Sequence, residues 1–488
     1  MIRVIMDITI NKNAAFILLL TILLSHSVLA EVKINKFSPS ISAGMTYTDN
    51  VNLTHTDEES DLVYRWNADL SSGGAGISTQ GSRLKTQLNY NISGLSYNQD
   101  NDLNDINHDL SATANAEIVK NAVFLDAFAN TRGVLLDQNK NASSDRVSGS
   151  QNLTDTYTYG LKASWKKNWD NYADSNISYD YNQVRFGGGA SGSNSTGNSI
   201  NLVLASGSKF SRYFWDLNHN HNETSYDNDS PDTTTETSYV TLGFHYTRSL
   251  DLRVRLGYED YDNTVDNGFG WTIGGNWHPN PRTTLDASWG ERAFGRTAFL
   301  DFSHRRKRIT WQLNYSDEIT NSRGQLIANS QAINDVNANP DDNQNANSNN
   351  SDVPLATYNS NLRLTRRLTG SASFQYTRSS FNLRLYAERL YFDDADNKDN
   401  ENYGSSLNWG YRLGGKTSMN TRLFWDSLED LGINNKQNRT GLSWSLSRTI
   451  SPRLSANIGY VYTNNDADLR ESEYDENRIT ASISKSFR

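Results

Sequence analysis

One feature constrains this chain more than any other. A phrase of about ten residues, alternating apolar and polar, is closed by a turn or polar loop and then repeated along most of the sequence. At 62–70 one set reads Leu62, Tyr64, Trp66, Ala68, Leu70 and the other Val63, Arg65, Asn67, Asp69. At 84–92 Leu84, Thr86, Leu88, Tyr90 and Ile92 oppose Lys85, Gln87, Asn89 and Asn91; at 252–259 Leu252, Val254, Leu256 and Tyr258 oppose Arg253, Arg255, Gly257 and Glu259. The phrases at 440–447 and 454–462 repeat the pattern. A strand turns successive side chains to opposite sides, so each phrase gives one greasy and one wet face.

The connectors alternate as well. Short turns near Val119–Asn121, Lys166–Asn171, Arg248–Asp251, Arg305–Lys307 and Arg448–Arg453 are interleaved with longer polar stretches at 49–61, 98–109, 131–155, 220–237, 316–357 and 463–476. The connector near Arg292–Arg296 is short but falls in the long series, and 358–377 reads as one strand. This count predicts an all-β fold: an antiparallel up-and-down transmembrane β-barrel of about 22 strands, within a range of roughly 16 to 24, with short turns on one rim and long loops on the other. The long stretches are acidic, as with Asp57, Glu58, Glu59 and Asp61, and the short turns basic, with Arg305, Arg306, Lys307 and Arg308 the densest case. The Asn-rich loop at 316–357 is expected to be mobile.

A soluble sandwich would fill its greasy face with Val, Ile and Leu. Here aromatics stand near phrase ends: Tyr47, Tyr97, Trp165, Tyr181, Tyr246, Trp271, Trp277, Trp409 and Trp425. Amphipathic rings are most stable at the headgroup level, which places these residues on a lipid-facing wall. The mean hydropathy of -0.69 would otherwise point to a soluble chain, but a polar average follows when half of each strand faces a wet lumen. Arg65, Asp69, Lys85, Arg253, Arg255, Glu259 and Arg384 fall on the wet face and are the candidate lumen-facing residues. Unpaired in a dry core such charges would be costly.

The N-terminus reads as a targeting segment. Arg3 and Lys12 precede the apolar run from Ala14 to Leu24, and Val28-Leu29-Ala30 forms a cleavage site before Glu31. The expected organisation is a cleaved signal peptide at 1–30, a short periplasmic segment at 31–36 and an outer-membrane barrel at 37–488. With strands starting near Phe37, no plug domain is expected ahead of the barrel, and a plug would have to be a folded-in loop, 316–357 being the longest. The chain has 0 cysteines, which rules out disulfides and thiolate metal sites. At the other end Ile479, Ala481, Ile483 and Phe487 share one phase, with Lys485 interrupting it and Arg488 following. A C-terminal strand ending on an aromatic resembles the signal read by the barrel-assembly machinery.

Several segments resemble the outer-membrane proteins associated with the PEP-CTERM/exosortase system: "ISAGMTYTDNVNLT" at 41–54, "AVFLDAFAN" at 122–130, "LRVRLGYED" at 252–260, the long stretch 271–320 beginning "WTIGGNWHPNPRTTLDASWGERAF", "ISPRLSANIGY" at 450–460 and "YDENRITASISKSF" at 474–487. The similarity runs from about residue 40 to the end and is most specific at 271–320. It implies a porin-like barrel and a role in envelope or exopolysaccharide biology. It transfers no catalytic or binding residue.

No nucleophile elbow, zinc-protease helix or phosphate loop is present, and no enzyme activity or cofactor is expected. His219 and His221 near Asp227 read as rim polarity rather than a metal site, and the acidic loops match no ordered Ca²⁺ loop. Arg253 and Arg255 fit either an anion-selective patch or a charge-balanced, hydrated wall. Two functions are expected of such a chain: a channel or export conduit for a polar solute or polymer, or a surface barrel whose acidic, Asn-rich loops bind polysaccharide or cations without transport. The expected partners are outer-membrane lipid and lipopolysaccharide, the assembly machinery and exopolysaccharide export components. The net charge of -9 argues against nucleic acid.

Overall fold

A computed structural model of the chain describes residues 37–72, 83–135, 141–143, 145–187, 194–227, 231–262, 267–328, 362–391, 399–431 and 435–487. The expected signal peptide, the 31–36 segment and most of the Asn-rich loop lie outside the described residues.

The strands are β1 (Phe37–Thr48), β2 (Asp61–Ser72), β3 (Leu84–Tyr97), β4 (Asp105–Val119), β5 (Val123–Leu135), β6 (Leu153–Trp169), β7 (Ala173–Phe186) and β8 (Ser195–Ser206). They continue as β9 (Tyr213–Tyr226), β10 (Thr233–Thr247), β11 (Leu250–Tyr261), β12 (Gly268–Asn280), β13 (Thr283–Arg292), β14 (Gly295–Arg306) and β15 (Ile309–Thr320). The last are β16 (Arg363–Gln375), β17 (Ser379–Tyr391), β18 (Asn400–Gly414), β19 (Thr417–Asp430), β20 (Asn435–Ser451), β21 (Leu454–Ala467) and β22 (Tyr474–Ser486). They form one 22-stranded antiparallel sheet. It closes where β1 pairs β22, from Ser40↔Ser486 to Thr48↔Arg478. Closure leaves no edge, the condition for a sheet to cross lipid. The protein is an outer-membrane β-barrel, and the start of β1 and the end of β22 meet at the short-turn rim.

The two faces follow the alternation. On β1, Ile41, Met45 and Tyr47 point outward and are exposed, while Thr46 and Thr48 point inward and are buried. Exterior aromatics gather in two rings. Trp165, Trp169, Tyr213, Trp277 and Trp311 stand near the short turns; Tyr64, Tyr157, Tyr258, Trp289 and Trp425 stand toward the loops. Tyr97 departs from the expected pattern. It lies on the inward phase of β3 and is buried, because a folded-in connector supplies apolar cover inside the mouth.

Strands also run further toward the loops than the alternation indicates. β4 begins at Asp105 and β15 continues to Thr320, inside stretches expected to be loop. Above the headgroups both faces are wet, so pairing persists after the pattern has gone.

Two seams stop short on that side. β4 pairs β5 only from Ser111↔Asn130 to Val119↔Val123, although 105–110 continue against β3 and 131–135 against β6. β14 pairs β15 only from Leu300↔Tyr315 to Arg306↔Ile309, while 295–299 stay with β13 and 316–320 with β16. Each split starts level with the outer aromatic ring, at Tyr159 opposite Ala129 and Trp289 opposite Ala298. Within hydrocarbon, backbone left unpaired in this way would cost several kcal/mol for each group, on the order of a lost hydrogen bond or more; above the ring, water satisfies it. In both cases the hairpin on the far side of the split carries a connector that folds into the lumen.

Candidate functional site

The first inward connector joins β5 to β6. Val147 is buried with Val63, Leu95 and Tyr97 of the β2–β3 wall and with Val51 and Leu103 of the β1–β2 and β3–β4 connectors, making an apolar patch inside the mouth. Tyr97 Oη donates to the Val147 carbonyl at 2.8 Å, and Gly149 N donates to the Val51 carbonyl at 2.9 Å. The connector then reaches the closing seam of the barrel. Arg478 of β22 donates to Asp145 at 2.7 Å, and Ser148 Oγ donates to Glu476 Oε1, which also accepts from Thr48 Oγ1 of β1 at 2.9 Å. Burial alone would push the Asp145 carboxyl up. Arg478, Ser143 and Arg65 outweigh that effect and hold it below the usual carboxylate range.

The second inward segment follows β15. Asn321 Nδ2 donates to Tyr226 Oη of β9 at 3.2 Å, and a short helix at 322–328 lies against the β5–β8 wall. Buried Arg323 donates through Nε to Ser195 Oγ at 2.8 Å and through Nη2 to Asn182 Oδ1. Ile327 packs on Phe128 and Val184, with Leu326 and Phe186 beside them. Phe128 and Val184 sit on the inward phase, and burying each such side chain is worth roughly 1.5–3 kcal/mol. The expected loop at 316–357 therefore opens with five residues of strand, 316–320, and a docked helix.

The wall from β10 to β20 is organised by charge. Arg253, Arg255, Gly257 and Glu259 share the inward phase of β11, and Arg384 takes the inward phase of β17. Glu259 has no exposed surface: Arg292 Nε donates to it at 2.6 Å, and Tyr239 Oη and Tyr261 Oη also donate to it. Arg253 grips Asp286 with both terminal nitrogens. Arg367 pairs with Glu388, and Arg439 donates to Asp426 at 3.0 Å with Tyr386 Oη donating alongside at 3.1 Å. Asp317 turns into the β14–β15 split and accepts from Ala298 N at 3.1 Å, stitching it. On the β1–β3 side Arg65 Nε donates to Asn67 Oδ1, Asp69 accepts from Ser40 Oγ and Asn91 Nδ2, and exposed Lys85 stands nearer the short turns. Sequence reasoning missed Arg292, Arg323 and Arg478, which lie in or beside stretches read as loop or as assembly signal.

His219 and His221 take the outward phase of β9, where His219 meets Ser238 and His221 meets Glu223. Among the described residues no group of three or more His, Cys, Asp or Glu side chains is placed to hold a metal. At the C-terminus Ile479, Ala481 and Ile483 face outward on β22, and exposed Phe487 follows them with Lys485 Nζ 5.5 Å from its ring centre.

No family model matches the sequence, and no curated protein matches it. Solved structures do match in fold. The siderophore receptor PirA from Acinetobacter baumannii superposes with a TM-score of 0.51 at 11% identity, covering 94% of this chain and 81% of the receptor. A double mutant of the ferric enterobactin receptor PfeA from Pseudomonas aeruginosa gives 0.51 at 10% identity, covering 93% and 81%. The same receptor in complex with the compound BCV-L6 gives 0.50 at 11% identity, covering 93% and 82%. At these identities the likeness is one of fold: a large outer-membrane β-barrel.

Proposed function

We propose that the protein is a conduit for a polar solute or polymer across the outer membrane, its lumen narrowed by its own connectors, and that it serves export in exopolysaccharide-linked envelope biology. One observation carries this reading. Among the described residues, the β5–β6 connector and the segment after β15 fold inward and dock by polar contacts on a wall rich in hydrophilic side chains and paired charges. Barrels of 22 strands enclose a lumen wide enough to need filling, and here chain segments from the barrel itself supply that filling. The sequence resemblance at 271–320 supports the link to exopolysaccharide. Folded protein in a planar bilayer is expected to conduct weakly, and replacing 321–361 by a short glycine linker should raise single-channel conductance severalfold. Absence of conductance in both proteins would defeat the conduit reading.

A receptor reading draws on the fold shared with proteins described as siderophore receptors. Growth dependent on a ferric siderophore, lost on deleting the gene, would favour it. A surface-binding barrel predicts instead that loop replacement releases polysaccharide from cells without altering conductance.

A further inference from the structure

We propose that the lumen wall of β9–β14 holds a binding site for an acidic saccharide unit, a sugar ring carrying a carboxylate. The inference deepens the conduit reading and rests on it. A cavity of about 820 Å³ opens there, and Arg253, Arg255 and Arg292 line it. Arg292 is committed to Glu259 and Arg253 to Asp286. Arg255 is not: among the described residues its guanidinium has only Thr241 Oγ1, 3.4 Å from Nε, and the Tyr239 ring, 5.3 Å away. Its fork therefore has donors to spare, in the geometry that suits a carboxylate.

Thr241 stands opposite Arg255 on one side and opposite Asp216 of β9 on the other. Asp216 lines the same cavity, and no cation lies within ion-pair reach of it among the described residues. The two free charges sit two strands apart, roughly 10 Å at the backbone, a gap that one substituted sugar unit bridges. Its carboxylate would meet Arg255, and its hydroxyls would donate to Asp216. Phe214, two residues before Asp216 on the same face, supplies an apolar surface for the sugar's C–H groups, as does the Tyr239 ring that covers Gly257, and Gly270 keeps the β12 wall low. A site with both a free cation and a free anion fits a sugar acid better than a bare inorganic anion.

The test is calorimetry on the full folded barrel in detergent, with tri-galacturonic acid, maltotriose and inorganic phosphate as probes. Tri-galacturonic acid should bind and maltotriose should bind much more weakly. Arg255→Gln should weaken tri-galacturonate binding roughly ten- to a hundredfold, the worth of a charge-assisted hydrogen bond, with Arg255→Lys recovering part and the short-turn variant Arg305→Gln matching wild type. Heat-modifiable gel mobility reports folding of each variant. Equal affinity of Arg255→Gln and wild type, equal binding of the neutral sugar, or phosphate binding as tight as the sugar acid would each overturn the proposal. Binding without conductance defeats the conduit and leaves the site; conductance without binding defeats only the site.

Discussion

At the scale of single residues the inner wall depends on aromatic rings laid flat over glycines of the neighbouring strand. Tyr239 lies directly opposite Gly257, and a Cβ at Gly257 would collide with its ring. That flat placement lets Tyr239 Oη reach Glu259 while the carboxylate also holds Arg292. Gly257→Ala should lift the ring, strand part of the Glu259 network and cost about 1–3 kcal/mol, the range for overpacking a fitted site. Urea unfolding of the barrel in lipid vesicles measures this, and an unchanged midpoint would show that the ring relocates freely. Glu259 shows why burial escapes a reading of sequence. Alternation assigns it to the inner face, but its complete enclosure by Arg292, Tyr239 and Tyr261 depends on residues from β10, β11 and β13, which only the register brings together.

At the scale of elements the β5–β6 connector acts as a strap across the closing seam. It is tied to β22 through Asp145–Arg478 and Ser148–Glu476. Arg478 is buried and Asp145 half-buried, so Arg478→Ala should leave the carboxylate without its cation, free the strap and raise both conductance and protease cleavage near Asp145. The Asp145 carboxyl is held below the usual range in the docked state. A depressed value stabilises docking above the carboxyl's free value, about 3.9, and that stabilisation is lost as pH falls through the docked value. Conductance should therefore rise on acidification below about pH 4, and Asp145→Asn should abolish the rise; a pH-independent variant and wild type alike would exclude the strap as the pH-sensitive element. Legibility divides along the same line. Strand number and phase were readable because lipid on one side and water on the other impress alternation on residues such as Leu252 to Glu259. The docking of the inward connectors was not, although 316–357 stood out as the longest loop that could fold in. Asp145, Val147 and Arg323 sit in polar stretches whose partners, Arg478, Tyr97 and Asn182, are far away in sequence, and no local pattern records such contacts.

At the scale of the whole molecule the two rims differ in sign. Glu58, Glu59, Asp227, Asp232, Glu471 and Glu473 crowd the long-loop rim, and Arg282, Arg305, Arg306, Lys307, Arg308 and Arg453 the short-turn rim. The closed topology fixes which residues share a rim: the start of β1 and the end of β22 lie on the side of the basic turns. A barrel inserted from the periplasm keeps its ends and tight turns on that side and sends its long loops outward. The acidic rim would then lie among lipopolysaccharide phosphates, where unscreened repulsion extends over roughly a Debye length, about 8 Å, and divalent cations would have to bridge the like charges. The protein has 0 cysteines, so single introduced thiols report orientation without background. Glu58→Cys, in the exposed loop after β1, should react with a membrane-impermeant maleimide on intact cells. Lys307→Cys, in the turn between β14 and β15, should react only after the outer membrane is permeabilised. Labelling at Lys307 on intact cells with silence at Glu58 would invert the barrel and turn the acidic rim, the strap and the loop-bearing mouth toward the periplasm.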